Sequence, residues 1–286
     1  MATVSNTDEW DLVIEPKGKL FNLNLKEVWR YRDLLVLFVR RDFVASFKQT
    51  ILGPLWHVIQ PALTTIMFLF VFGKIAKIPT DGVPAVLFYM SGISIWNYFS
   101  SCLLGTSGTF VANAGMFGKV YFPRLVIPLS VVASNIVKLG IQFGLLIVVF
   151  IYYAFHGYVF QVSWALLLLP VLVLMMALLG MGLGIIFSSL TTKYRDFSVL
   201  LGFGMQLLMY ATPIAYPLSY LQNKPYKWIL DINPLTSIIE MYRYVLFGQG
   251  VFTAASVAYS CIFILLAVLG GMVLFNKVER TFIDTV

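Results

Sequence analysis

Long runs of apolar residues alternate with short polar segments along most of the chain. Six of these runs reach the length of about 17–25 residues that a helix needs to cross the hydrocarbon core of a membrane. The runs are continuous and lack the residue-by-residue alternation that is typical of membrane β-strands. The pattern therefore predicts an all-α integral membrane protein with six transmembrane helices, near 54–74, 86–111, 128–153, 163–190, 198–217 and 254–275.

The segment before the first run, residues 26–50, has a different pattern. Apolar side chains recur there at about every fourth position, whereas most charged residues fall elsewhere around the helix. A segment with so many charges does not span a membrane, so the pattern favours an amphipathic helix in the cytoplasmic headgroup layer. An amphipathic helix packed on protein is the alternative. The apolar stripe comprises Val28, Tyr31, Leu34, Leu35, Phe38, Val39, Phe43 and Phe47.

Composition supports a single membrane domain. Of the 286 residues, 59% are hydrophobic and only 12% are charged, whereas a soluble domain has roughly a quarter of its residues charged. The mean hydropathy is +0.86.

The first residues lack the apolar core of a cleavable signal peptide, so the first span is expected to act as an uncleaved anchor. The expected parts are an N-terminal tail (1–25), the amphipathic helix (26–50), the membrane domain (51–276) and a C-terminal tail (277–286).

The positive charges predict an orientation. If the N-terminus is cytoplasmic, most of the 20 Lys and Arg residues lie in cytoplasmic segments, and both termini are therefore expected in the cytoplasm. The net charge of +7 indicates contact with anionic membrane lipids. Nucleic-acid binding would need a soluble basic face, which the pattern lacks.

The two cysteines, Cys102 and Cys261, fall in separate apolar runs, and no residues have metal-site spacing.

Five segments resemble one transporter family in order and spacing. They are KQTILGPLWHVIQP (48–61), KVYFPRLVIP (119–128), KYRDF (193–197), ATPIAYPLS (211–219) and INPLTSIIEMYR (232–243). Together they resemble the membrane subunit of ABC-2 type polysaccharide exporters, from about residue 20 onwards. The resemblance implies a homodimer that pairs with two copies of a separate ATP-binding subunit. A lipid-linked glycan such as O-antigen, capsule or teichoic acid would pass between the permease halves across the cytoplasmic (inner) membrane.

The chain lacks the GxxxxGK[ST] motif that cradles phosphates in many ATP-binding proteins. Neither Gly73-Lys74 nor Gly118-Lys119 has a Gly five residues upstream or a Ser or Thr after the Lys. We therefore expect this chain to be no enzyme and to bind no cofactor itself. ATP and magnesium would be bound by the partner subunit.

The start of the first span is unusual for an apolar helix. Gly53 allows a sharp bend from the membrane plane, and Pro54 fits the first turn of a helix. Trp56 suits the level of the interface. His57 and Gln60 are three residues apart and share a helix face. We expect these five residues at the cytoplasmic mouth of the conduit.

A cytoplasmic loop, residues 113–127, lies between the second and third spans. In the resembled family this loop carries the coupling helix that docks in the ATPase. A short turn with aromatic residues at the membrane interface is the alternative, and the KYRDF loop is a second contact candidate. The loop offers five side chains for docking: Phe117, Lys119, Tyr121, Phe122 and Arg124.

The acidic residues all lie outside the six predicted spans. This counts against an ion-driven secondary transporter and against an embedded hydrolase or glycosyltransferase. One cation, Lys138, lies roughly 15 Å into the bilayer at about 1.5 Å per residue. Asn135, Lys138 and Gln142 share a face that should point to a protein or aqueous interior. Lys138 would there meet the pyrophosphate or a sugar of the substrate; snorkelling, or bonding to backbone carbonyls, is the alternative.

Aromatic side chains make up 16% of the chain and offer stacking faces for sugar rings. In the resembled family aromatic belts line the conduit, although lipid contact or packing is the alternative for each residue. The spacing of Gly180 and Gly184 indicates close helix packing instead. The aromatic conduit candidates are Trp96, Tyr98, Phe99, Phe203 and Tyr210.

The region between the last two runs, 218–250, is neither plainly soluble nor apolar for long enough to cross a membrane. Two prolines break the fifth span just before it, and Asn-Pro starts an apolar helical stripe within it. The pattern predicts short re-entrant or surface helices at the outer face. The resemblance implies that they form an extracytoplasmic gate containing Pro213, Pro217, Asn233, Pro234 and Tyr242.

Two other interpretations remain. One is an ABC-2 exporter of a lipophilic small molecule, and the other is a membrane scaffold or embedded enzyme without transport activity. A neighbouring ATPase gene flanked by glycosyltransferase genes would separate all three.

Overall fold

The computed structural model describes residues 25–48, 50–117, 119–158, 164–194, 196–222 and 224–282. In these ranges the regular secondary structure is entirely helical. Residues 1–24 of the expected N-terminal tail (1–25) and residues 283–286 of the expected C-terminal tail (277–286) lie outside the described residues. The same holds for Gly118 and Arg195 and for the side chain of Phe47.

Two helices, α1 (Leu25–Arg30) and α2 (Arg32–Phe47), take the place of the single amphipathic helix predicted over 26–50. Part of the predicted apolar stripe packs against other helices of the chain. Val28 and Phe38 are buried in a cluster with Phe122, Val126 and Ile127, and the rings of Phe38 and Phe122 meet edge to face at 5.8 Å. Val28 and Phe38 therefore pack on protein, because the start of the third long helix offers them an apolar surface, and placement of the helix in the headgroup layer stays a prediction.

The first predicted span is a composite helix. It consists of a 3-10 turn (Gly53–Leu55), α3 (Trp56–Phe68) and a π-helical segment (Leu69–Ile75). Gly53 has a φ of +50°, which is a left-handed conformation that glycine adopts without strain. The bend expected before the first span is thus present, and Pro54 occupies the first turn as predicted.

The second predicted span, 86–111, divides into α4 (Ala85–Ser107) and α5 (Thr109–Phe117). Helix α4 is largely enclosed, since most of its residues are buried. The third span is the long helix α6 (Val126–Phe155). The fourth is a 3-10 turn (Trp164–Leu168) followed by α7 (Leu169–Lys193).

Helix α7 packs between α4 and the last helix, α12 (Ala254–Phe282). Two glycines allow its close approach to α4. A Cβ atom added at Gly180 would lie 2.9 Å from the Cβ of Cys102, and one at Gly184 would lie 2.7 Å from the carbonyl oxygen of Leu103. These distances are shorter than side chains tolerate, so the close packing predicted from the Gly180–Gly184 spacing is confirmed.

The fifth predicted span, 198–217, is too long. Helix α8 (Asp196–Tyr210) ends before Pro213, because proline has no N–H to continue the helix and its ring clashes with the preceding turn. Three short helices follow, as expected for the region before the last span. They are α9 (Leu218–Leu221), α10 (Lys227–Ile232) and α11 (Pro234–Phe247).

Four described helical segments are long and apolar enough to cross a membrane: Gly53–Ile75, Val126–Phe155, Trp164–Lys193 and Ala254–Asn276. The chain is therefore an integral membrane protein. Helices α4 and α8 differ from these segments for separate reasons. Polar residues interrupt the apolar surface of α4, which is buried among other helices, and α8 has only 15 residues.

Contacts between distant segments define two ends of the helical bundle. At one end α2 packs on the start of α6, and the hydroxyl of Thr191 donates to the carbonyl of Ser107 at 2.6 Å. At the other end the hydroxyl of Ser219 donates to the carboxylate of Asp81 at 2.8 Å. We refer to the first as the α2 end and to the second, which contains Ser219 and Asp81, as the α11 end.

Candidate functional site

A polar pocket of about 290 Å³ lies between α3, α4 and α6. It combines residues predicted for the cytoplasmic mouth with residues predicted for the conduit. Its lining is mostly polar and contains a single cation, and none of its described lining residues is acidic. The lining residues are His57, Gln60 and Pro61 of α3, Asn97, Tyr98, Ser100 and Ser101 of α4, and Asn135, Lys138, Leu139 and Gln142 of α6.

Helix α6 supplies two buried amide groups and a lysine to this pocket. Asn135, Lys138 and Gln142 lie on one face because they are three and four residues apart. Asn135 and Gln142 are only 4% and 8% exposed, and their amide oxygens accept no hydrogen bond from the residues that the structure describes. The amide nitrogen of Asn135 lies 4.0 Å from the sulfur of Cys102. A buried unpaired acceptor costs about 1–3 kcal/mol, so a hydrogen-bond donor in the pocket would be stabilised.

The charge of Lys138 is only weakly balanced by its surroundings. The carboxylate whose charge acts on Lys138 belongs to Asp42 of α2. That carboxylate already forms an ion pair with Arg41, whose Nη2 atom lies 2.8 Å from Asp42 Oδ1. The described lining of the pocket thus holds one lysine and no carboxylate, which favours an anionic ligand.

Of the five residues predicted for the cytoplasmic mouth, Gly53, Pro54 and Trp56 do not line this pocket. Pro54 and Trp56 are exposed at the beginning of the first span, just before the pocket residues His57 and Gln60. Only the second half of the predicted set thus lines the pocket. This follows from the helix geometry, since His57, Gln60 and Pro61 share the face of α3 that is turned towards α4 and α6.

The predicted aromatic belt is not assembled within one chain. Tyr98 alone lines the pocket. Trp96 and Phe99 are on the opposite side of α4, buried in the core with their rings 5.6 Å apart. Phe203 and Tyr210 lie on the exterior of α8, 58% and 56% exposed. The sequence did not reveal which of these three neighbouring aromatic residues of α4 would reach the pocket, because that depends on how α4 packs among the other helices.

The loop predicted to contact the ATPase divides into a buried and an exposed part. Phe117 and Phe122 pack with their rings 5.8 Å apart. The guanidinium of Arg124, which is 8% exposed, lies 5.2 Å from the centre of the Phe117 ring. Lys119 and Tyr121 are exposed. The first three side chains therefore fix the loop within its own chain, and the last two remain available for docking.

At the α11 end, Asn233 connects two helices. Its side-chain oxygen accepts a hydrogen bond from the N–H of Leu235 at 3.0 Å and so caps the start of α11, as the Asn-Pro pair predicted. Its side-chain nitrogen donates to the carbonyl of Ala211 at 3.0 Å and to the hydroxyl of Thr212 at 2.8 Å. The end of α8 and the start of α11 are thereby held together.

Helix α11 also carries a buried ion pair that sequence reasoning missed. Arg243 donates to the carbonyls of Ile214 at 2.9 Å and Tyr216 at 3.5 Å, both in the Pro213–Pro217 turn. Glu240 accepts from the N–H groups of Leu218 at 3.3 Å and of Val251 at 2.9 Å. The signal that could have indicated the pair is the presence of opposite charges three residues apart within an apolar stripe.

The other predicted gate residues surround this ion pair. Pro213, Pro217 and Tyr242 are buried, and Tyr242 is fully enclosed. The guanidinium of Arg243 stacks over the ring of Phe88 in α4 at 3.8 Å. The gate candidates, the proline turn and α4 therefore form one packed unit at the α11 end.

Residues 33–247 match the family described as ABC-2 type transporter. The chain belongs to the ABC-2 type transporter family. It is therefore a membrane-embedded transport subunit, and its helical bundle is an ABC-2 membrane domain.

Individual ABC-2 relatives resemble the chain over most of its length. The O-antigen export system permease protein RfbA of Klebsiella pneumoniae is 32% identical over 88% of this chain and 94% of its own length. The RfbA protein of Myxococcus xanthus is 27% identical over 78% of this chain and 84% of its own. The polysialic acid transport protein KpsM of Escherichia coli is 23% identical over 86% of this chain and 93% of its own.

Proposed function

We propose that this chain is the permease of an ATP-driven exporter that moves a lipid-linked polysaccharide, such as an O-antigen-like glycan, across the cytoplasmic membrane. The observation that carries the proposal is the polar, positively charged pocket between α3, α4 and α6. The substrate assignment is supported by the names of the relatives, which are permeases of O-antigen export and a polysialic acid transport protein. A lipophilic cargo would instead favour a predominantly apolar pocket.

The proposed topology has six spans with both termini in the cytoplasm. Helices α4 and α8 would be the other two spans, in addition to the four strongly apolar segments, because each connects the two ends of the bundle. The α2 end would be cytoplasmic, since it contains basic residues such as Arg40, Lys119 and Lys193, and such residues favour the cytoplasmic side. The α11 end would face outward.

In this proposal the chain works as a homodimer with two separate ATP-binding subunits. The absence of GxxxxGK[ST] from the sequence supports a division of labour in which ATP and magnesium are bound by the partner. The exposed Lys119 and Tyr121 would contact that partner. A second copy of the chain would supply the other wall of the conduit, and the exposed aromatic residues of α8, Phe203 and Tyr210, are candidates for that wall.

Two experiments test the proposal: reconstitution of the purified proteins in lipid nanodiscs, and complementation of cells that lack the permease. The purified chain alone should hydrolyse no ATP, whereas co-assembly with its ATPase should give hydrolysis and restore glycan export in cells that lack the permease. The mass of the assembled complex should correspond to two copies of each subunit. ATP turnover by the isolated chain, or normal glycan export without it, would overturn the proposal.

A further inference from the structure

We propose that the pocket between α3, α4 and α6 binds a single glycosyl phosphate or diphosphate group, the unit that joins the glycan to its lipid. In this site Lys138 contacts the phosphate oxygens, while the amide oxygens of Asn135 and Gln142 accept hydrogen bonds from sugar hydroxyls. The inference rests on the proposed function. It goes further by assigning a binding site to one chemical group of the substrate.

The charge of the pocket selects against several classes of ligand. Lys138 is its single cation, none of the described lining residues is acidic, and Asp42 is engaged by Arg41. A cationic ligand would be repelled. An apolar ligand would leave an ammonium group and two amide oxygens buried without partners, which costs free energy at each group. An anionic ligand is therefore favoured.

The amide oxygens restrict the ligand further. A phosphate group that has lost its protons offers acceptors only, so it can pair with Lys138 but cannot satisfy the oxygens of Asn135 and Gln142. Both oxygens are buried and without a partner among the described residues. The ligand must therefore combine an anion with hydroxyl donors in one compact group. A sugar attached to phosphate has this combination.

The volume limits how much of the substrate enters. Ligand pockets usually measure about 300–1,000 Å³, and this pocket measures about 290 Å³. It therefore has room for about one sugar ring with its phosphate and not for a polymer. Recognition at this site would depend on the linkage end of the substrate and would be indifferent to the length of the glycan.

Phosphatidylglycerol offers the same chemistry, since its headgroup also combines a phosphate with hydroxyls. The experiment must distinguish the two sources. We would use the full permease–ATPase complex in nanodiscs of phosphatidylcholine and a probe that consists of a hexosyl diphosphate on a two-isoprene chain. Calorimetry would measure the Kd of the probe with and without phosphatidylglycerol in the disc.

Three variants test the residues. Lys138→Met should weaken probe binding at least tenfold, whereas the matched control Lys74→Met, an exposed lysine outside the pocket, should leave the Kd unchanged. Gln142→Glu keeps the side-chain shape and places a carboxylate one turn from Lys138. It should also weaken binding at least tenfold while maintaining or raising thermal stability, because the new carboxylate pairs with Lys138.

The Gln142→Glu variant separates a ligand site from a structural lysine. If Lys138 served only the fold, pairing it with a carboxylate would leave probe binding unchanged, and that result would overturn the inference. Displacement of the probe by phosphatidylglycerol at equal concentration would also overturn it and would indicate a headgroup site. Wild-type glycan export in cells serves as the separate readout of the proposed function, so export without probe binding would reject only the pocket assignment.

Discussion

Glu240 and Arg243 lie one turn apart on α11 and form an ion pair that is closed off from solvent. Arg243 Nη1 is 3.1 Å from Glu240 Oε1, and the two side chains are 1% and 3% exposed. Their remaining hydrogen bonds reach backbone groups in the turn before α9, at the first residue of α9 and before α12. The pair thus joins three segments of the α11 end, and its removal should loosen all of them together.

We expect Arg243→Met to destabilise the protein strongly. Methionine keeps much of the apolar stem but leaves the Glu240 carboxylate buried without its cation, and breaking a buried pair from one side typically costs about 3–5 kcal/mol. Thermal and denaturant unfolding of the purified permease in detergent would measure the loss. The double variant Glu240→Gln/Arg243→Met should recover part of it, because no uncompensated charge remains.

Lys227→Met is the control for this prediction. Lys227 Nζ lies 2.9 Å from Asp231 Oδ2, but this pair is exposed, at 40% and 52% for the two side chains. Exposed pairs contribute about 0–1 kcal/mol. Equal losses for Lys227→Met and Arg243→Met would show that burial of the Glu240–Arg243 pair has no special consequence.

The contact between α7 and α4 gives a second prediction. Gly184→Ala should destabilise the protein by about 1–3 kcal/mol, the usual cost of overpacking, because the added Cβ would lie 2.7 Å from the carbonyl oxygen of Leu103. Gly202→Ala in α8 is the matched control, since a Cβ there meets no atom within 4 Å. It should be neutral or stabilise by up to about 1 kcal/mol through helix propensity. Unfolding of both variants in one detergent compares them directly, and similar losses would contradict close packing at Gly184.

The sequence predicted the fold well wherever one local rule decided the structure. Long apolar runs located the main helices, and Asn233-Pro234 started α11 as predicted, whereas the fifth span was drawn past Pro213, which α8 does not reach. The prediction was less accurate where partners distant in sequence decide. Within the apolar stripe, Phe122 and its neighbours cover Val28 and Phe38, and no periodicity within residues 26–50 reveals that partner.

The candidate site shows the same division. Helical spacing placed Asn135, Lys138 and Gln142 on one face, and the structure brings them to one pocket. The addition of His57 and Gln60 to that pocket depends on the packing of α3 against α4 and α6, which spacing cannot supply. The Glu240–Arg243 pair was missed because charged residues were assigned to exposed segments. Here both side chains are buried, and each charge compensates the other.

A third prediction concerns the docking surface. In a background with Cys261→Ser, which removes the exposed native thiol, Tyr121→Cys should cross-link to the ATPase because Tyr121 is 58% exposed. Lys224 is also exposed but lies in the region of the α11 end, so Lys224→Cys should give no cross-link to the ATPase. Mass spectrometry of the cross-linked complex would identify the partner. The reverse pattern would overturn both the orientation and the coupling assignment.

The last prediction tests which surface α2 contacts, and it compares two neighbouring residues. Phe38 is buried against Phe122, whereas Leu37 is 60% exposed. Phe38→Ala should destabilise the docking of α2 by roughly 3 kcal/mol, the lower end of the range for buried phenylalanine, and Leu37→Ala should have little effect. Proteolysis of a locally opened segment follows the population of the open form. Cleavage within residues 25–48 should therefore accelerate about 100-fold in Phe38→Ala and remain near the wild-type rate in Leu37→Ala. Equal cleavage rates in both variants would indicate that lipid headgroups hold α2, because a helix held by lipid would not depend on the contact with Phe122.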